Sequence, residues 1–118
     1  MHKINLAAKL AQIDTHWDPK VVARYNGNDV MVVKFAGEFP YHSHAETDDF
    51  FLVLAGEVVM DCEGADSVTF GAGELLIVPA GTVHRPRAKA EAHVLLIEPK
   101  GEPNTGTSGA PAAAKDHI

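Results

Sequence analysis

A chain of 118 residues has room for one compact domain with its own core and is too short for two. Its composition, 46% apolar and 22% charged, is that of an ordinary soluble globular protein and excludes wholesale disorder or a fibrous repeat. The net charge of −6, with basic residues scattered along the chain, excludes the electrostatic footprint of a nucleic-acid binder.

Leu6, Leu10 and Ile13 fall at i, i+4 and i+7 with Asn5 ahead of them as a cap, which predicts a short amphipathic helix over residues 5 to 13. Lys3, Lys9 and Asp14 interrupt the apolar residues of this segment, so it lacks the apolar run of a secretory signal. No run in the chain approaches the roughly 20 apolar residues of a membrane helix. A cytoplasmic protein without a membrane partner is expected. Cys62 is the lone cysteine, which rules out an intrachain disulfide and a cysteine-based zinc site and leaves it as a small buried hydrophobe.

From Val21 the period changes. Residues 21 to 25 and 30 to 35 are β-rich runs separated by Asn26-Gly27-Asn28-Asp29, the signature of a hairpin. Further runs follow at 39 to 44, 49 to 55, 57 to 62, 66 to 70, 75 to 78, 83 to 87 and 92 to 98, divided by Gly56, Glu63-Gly64, Gly71-Ala72-Gly73 and Ala80-Gly81. Short strands punctuated this regularly predict an all-β sandwich or barrel. The runs 50 to 55, 75 to 78 and 94 to 97 are apolar on both faces, so their outer faces need a cover. The N-terminal helix and a second subunit are the two candidates, and a homodimer is expected. The organisation is therefore an N-terminal helical segment over 1–20, a barrel over 21–100, and a Gly/Pro/Ala-rich flexible tail over 101–118.

Chemistry concentrates in His42, His44, Asp49 and His84. In a strand, i and i+2 share a face, so His42 and His44 would project together from one wall, and Asp49 opens the next strand beside them. Pro79 and Gly81 can aim the following strand so that His84 joins the group. Three imidazoles and one carboxylate would hold one divalent ion, Fe, Mn, Ni or Zn, and leave coordination positions open for a small molecule.

Gly37-x4-His42-Ser43-His44-x4-Asp49-x6-Gly56 resembles the first motif of the cupin superfamily, and Gly73-x5-Pro79-x-Gly81-x2-His84 resembles the second. Gly37 stands one position closer to the histidines than is usual. The strand pattern extends the resemblance over about residues 20 to 100, and it is nearest to the single-domain group labelled mannose-6-phosphate isomerase-like. The resemblance implies a double-stranded β-helix, or jelly-roll barrel, here with a short N-terminal helix. It also implies a metal at His42, His44, Asp49 and His84, and a reaction of the isomerase or dioxygenase kind on a small organic substrate. A non-catalytic module that senses or binds a small ligand or metal is the alternative. Two positions depart from the family pattern: Asp49 replaces the usual Glu, and Ala88 stands where Asn is common. Because Asp is one methylene shorter, a three-histidine site completed by water is a second reading of the ligand set.

The remaining polar residues sort by face. Asp48 points away from Asp49, and Glu46 belongs to a solvated turn. Tyr41, Arg85 and Arg87 face away from the histidines, whereas Phe51 and Val53 face the pocket. His2, His16 and His117 are surface residues. His93 is either a core imidazole or a pocket residue, and with Glu74 it is the nearest titratable candidate for acid–base work.

Overall fold

The computed structural model describes residues 1–110 and 115–118. The described residues form one helix, α1 (Leu6–Leu10), and seven strands: β1 (Lys20–Tyr25), β2 (Asn28–Glu38), β3 (Asp49–Ala55), β4 (Glu57–Cys62), β5 (Val68–Gly71), β6 (Leu75–Val78) and β7 (His84–Pro99). The seven strands pair antiparallel, in the order β1-β2-β7-β3-β6, with β4 joining β5 to β7, while an isolated bridge between Val21 and His117 is parallel. This is an all-β jelly-roll barrel with a short N-terminal helix.

Strand β7 organises the molecule. Its first part pairs with β4 from Cys62↔His84 to Val59↔Arg87, and its second part lies between β2 and β3, from Ala55↔His93 to Asn28↔Pro99. One strand therefore carries His84 into the site and seals the barrel behind it. The runs read separately at 83 to 87 and 92 to 98 are this single strand, because residues 88 to 91 stay extended.

Alternation along β3 buries Asp49, Phe51 and Val53, while Phe50, Leu52 and Leu54 lie on its other face. The inner faces supply the main core, in which Met31, Met60, Val53, Val58 and Val94 are fully buried. Each such side chain contributes roughly 1.5–3 kcal/mol of burial. Gly56, at φ +83°, turns β3 into β4 where a Cβ would lie 3.0 Å from the Ala92 backbone. That glycine serves both the turn and the close approach.

Helix α1 is shorter than expected, ending at Leu10, and the Asn5 side chain accepts from Ala8 N as its cap. Leu10 and Ile13 pack against Val32, with Leu6, Val22, Leu54 and Ile118 around them. Lys34 Nζ donates to the Ile13 carbonyl 2.6 Å away, which fixes the exit of this segment. Leu75 and Ile77 of β6 are exposed. Among the described residues no helix is long and apolar enough to cross a membrane.

The segment after Pro99 was expected to be a flexible tail. In its described parts it makes specific contacts: Thr107 pairs with Ser43, and Asp116 and Ile118 exchange backbone hydrogen bonds with Val21. Composition gave no sign of these contacts, because they use backbone groups and small polar side chains.

Candidate metal centre

His42 and His44 do not lie on a strand, as residues 39 to 44 were expected to. Only His42 is extended, in an isolated two-residue bridge to His84. The bridge is reciprocal: His42 N donates to His84 O at 3.0 Å and His84 N to His42 O at 2.8 Å. Gly81 N donates to His44 O at 2.8 Å. The glycine and histidine of the second motif thus clamp the two histidines of the first through the backbone, which does the work assigned to a continuous strand. Asp48 turns outward and ties the loop down by accepting from Ala80 N.

All four residues converge. His42, His44, Asp49 and His84 are buried, and each offers a ligand atom within 4.8 Å of the others. Ring centroids lie 4.4 Å apart for His42 and His84 and 5.1 Å for His42 and His44. Asp49 Oδ2 is 2.9 Å from His84 Nε2 and 3.3 Å from His44 Nε2, so the shorter carboxylate arm reaches both imidazoles.

Each imidazole is held by its outer nitrogen. Nδ1 of His42 lies 2.9 Å from the Pro40 carbonyl, Nδ1 of His84 2.8 Å from the Thr82 carbonyl, and Nδ1 of His44 2.8 Å from Glu102 Oε1. An Nδ1–H directed at an oxygen places the lone pair on Nε2, the tautomer a metal-ligating histidine uses. Among the described residues His44 Nε2 is buried without a hydrogen-bond partner, although Asp49 Oδ2 lies 3.3 Å away. An orphaned buried nitrogen among three further donors is the arrangement a divalent cation satisfies, so the residues present fit the group.

The electrostatics differ between the imidazoles. Burial pushes His42 down to about 4, keeping it neutral. At His44 burial also opposes charge, but the contact with Asp49 and then Glu102 prevails and raises it to about 9, so a cation binding there would displace the Nε2 proton. Burial would raise Asp49, yet His44 and His84 hold it down at about 2. The centre is a buried carboxylate attracting positive charge.

Beside it lies a cavity of about 30 Å³ walled by aromatic side chains, with His42 and Asp49 on one side. Trp17 stacks on Phe35 at 4.3 Å and lies 5.0 Å from Phe39, while its Nε1 donates to the Ala36 carbonyl. Phe51 lines the cavity as expected; Val53 lies deeper in the core. Glu98 is a buried carboxyl on the wall, pushed up to about 7 by burial and then by the charge of Asp49.

Sequence reasoning missed Glu98, although a signal existed: it follows Val94 and Leu96 at the same parity and is the charged residue ending an apolar run. Trp17, Asn104 and Glu102 carried no such signal. His93 lies outside the cavity, with Nε2 3.1 Å from Glu91 Oε1, and Glu74 accepts from Gly71 N in a turn. Tyr41 is exposed beneath Arg85, and Arg85 and Arg87 both donate to Asp61.

Residues 29–98 match the family model of the cupin domain. This chain belongs to the cupin family. The cupin is 33% identical over 79 residues to an uncharacterized protein of Bacillus subtilis (strain 168), YdbB, covering 67% of this chain and 70% of that one. It is similar in structure to a cupin-2 domain containing protein from Shewanella frigidimarina NCIMB 400, with TM-score 0.80, 37% identity and coverage of 82% and 94% of the two chains. It also shares its fold with the hydroquinone 1,2-dioxygenase PnpCD solved with Cd2+ and 4-hydroxybenzonitrile, at TM-score 0.69, 21% identity and coverage of 92% and 74%. At that identity the likeness is one of fold.

Proposed function

We propose that this cupin binds one divalent metal ion through His42, His44, Asp49 and His84 and is a metal-dependent enzyme of the isomerase or oxygenase kind, acting on a small organic molecule. The observation that carries the metal reading is the buried, unpartnered His44 Nε2 within a four-donor cluster. A bound ion would supply Lewis acidity and open coordination positions. The chain's own residues do the rest. The aromatic walls exclude water and favour an apolar, planar molecule, and Glu98 offers a carboxyl beside the ligands that is not one of them.

The mannose-6-phosphate isomerase-like label is part of this proposal at the level of a subgroup. Among the described residues the cavity walls hold no Lys or Arg, which favours a neutral substrate over a phosphate ester. A cytoplasmic location belongs to the same reading.

The size of the cavity supports a second reading, a non-catalytic metal or small-ligand module. A space of about 30 Å³ holds roughly two water molecules, so an organic substrate needs the walls to move. Metal identification followed by a substrate screen under oxygen uptake, with product analysis for isomerisation, separates the two. Turnover by the iron form supports the enzyme, and tight metal binding without turnover of any screened substrate supports the module.

A further inference from the structure

We infer that the C-terminal segment 102–107 is a strap that completes the metal centre, with Glu102 as a positioning residue for His44. The inference rests on the metal-binding reading above. His42 and His84 are oriented by carbonyls two residues before them, Pro40 and Thr82, so their tautomers are set locally. His44 alone takes its orienting oxygen from a residue 58 positions away, Glu102 Oε1 at 2.8 Å. An imidazole without such an acceptor can present either nitrogen. One with a carboxylate on Nδ1 presents Nε2 and is more basic.

The segment is fastened where this contact needs it. Ser43 N donates to Thr107 Oγ1 and Thr107 N to Ser43 O, both at 3.0 Å, so residue 107 is paired with the residue between the two histidines. Gly106 lies close to both rings. A Cβ there would collide with the Ser43 carbonyl and stand 3.1 Å from His42 Cδ2 and 3.2 Å from His44 Cε1. On the other side Lys115 Nζ donates to the Glu102 carbonyl and reaches Glu98 Oε2 at 3.4 Å.

The test is zinc affinity of the full chain, measured by competition with a chromophoric chelator, for the parent, Glu102→Ala, Glu102→Gln and Gly106→Val. Glu102→Ala is expected to lose about 10- to 100-fold in affinity, as loss of an outer carboxylate partner does at other metal sites. Glu102→Gln keeps an acceptor oxygen and should recover most of the loss, and Gly106→Val should weaken zinc by pushing the strap off the rings. The visible spectrum of the cobalt-loaded protein should shift in Glu102→Ala and return towards the parent's in Glu102→Gln, which a purely structural role would not produce. Zinc affinity of Glu102→Ala within about twofold of the parent, or equal losses in Ala and Gln, overturns the strap and leaves the metal reading standing. A parent that binds no zinc overturns both.

Discussion

Asp49 stands between two imidazoles, hydrogen-bonded to one of them. Its Oδ2 stands 2.9 Å from His84 Nε2 and 3.3 Å from His44 Nε2, so a cation entering between these atoms would meet a carboxylate already held ionised. The shorter arm of Asp, which made a three-histidine site an alternative at the level of sequence, starts from the first residue of β3, opposite Val78. His84→Ala removes both a donor nitrogen and the partner of Asp49. It should cost more metal affinity than the ~10–100-fold typical of an outer-shell change, measured by chelator competition. Undiminished affinity in that variant would mean that any bound ion sits elsewhere. The four side chains of the site were legible because their spacing survives in the linear chain; Glu102 was not, because a tail carboxylate carries no periodicity to read.

At the scale of elements, the outer surface of β7 has its own network. Arg85 and Arg87 donate to Asp61 on β4, Ser67 adds a hydrogen bond, and Arg85 stacks over Tyr41 at 4.5 Å. The Arg87 guanidinium, with Ser67 and Arg85, holds the Asp61 carboxyl well below its ordinary value of 3.8. A depressed acid contributes stability that is fully present above its unfolded value and is lost as pH falls towards its folded one. Asp61→Asn should therefore lower stability by about 1–2 kcal/mol at neutral pH, the part-exposed arginines keeping the figure modest. Denaturant titrations should show that deficit shrinking below about pH 3.8. A deficit that stays constant down to about pH 2 would contradict the assignment. The strands were largely legible from alternation and glycine breaks. The segment 39 to 44 was not, since an apolar-polar alternation there is compatible with a looped chain clamped by Gly81 and His84.

Over the whole molecule, of the doubly apolar strands only β3 meets the N-terminal segment, through Leu54. The helix and its extension bury Leu10 and Ile13 on Val32, while Leu75 and Ile77 of β6 remain exposed along with Val68. A homodimer over this face is proposed, and it needs to bury about 1,200 Å² or more to be stable. Light scattering after size exclusion should give twice the 12.6 kDa chain mass, and Ile77→Lys should shift it towards the monomer. A parent that runs as a monomer would contradict this. The barrel itself was readable at this scale because short strands and two glycine-bearing motifs repeat along the chain, whereas the partner is written only as an uncovered face. The central claim, that the buried cluster of His42, His44, Asp49 and His84 holds a metal, is tested most directly by elemental analysis of tag-free protein. About one equivalent of a transition metal per chain, retained after dialysis and absent from His84→Ala, is the predicted result. Protein that carries none, and takes up none on titration with iron, manganese, nickel or zinc, would contradict the claim.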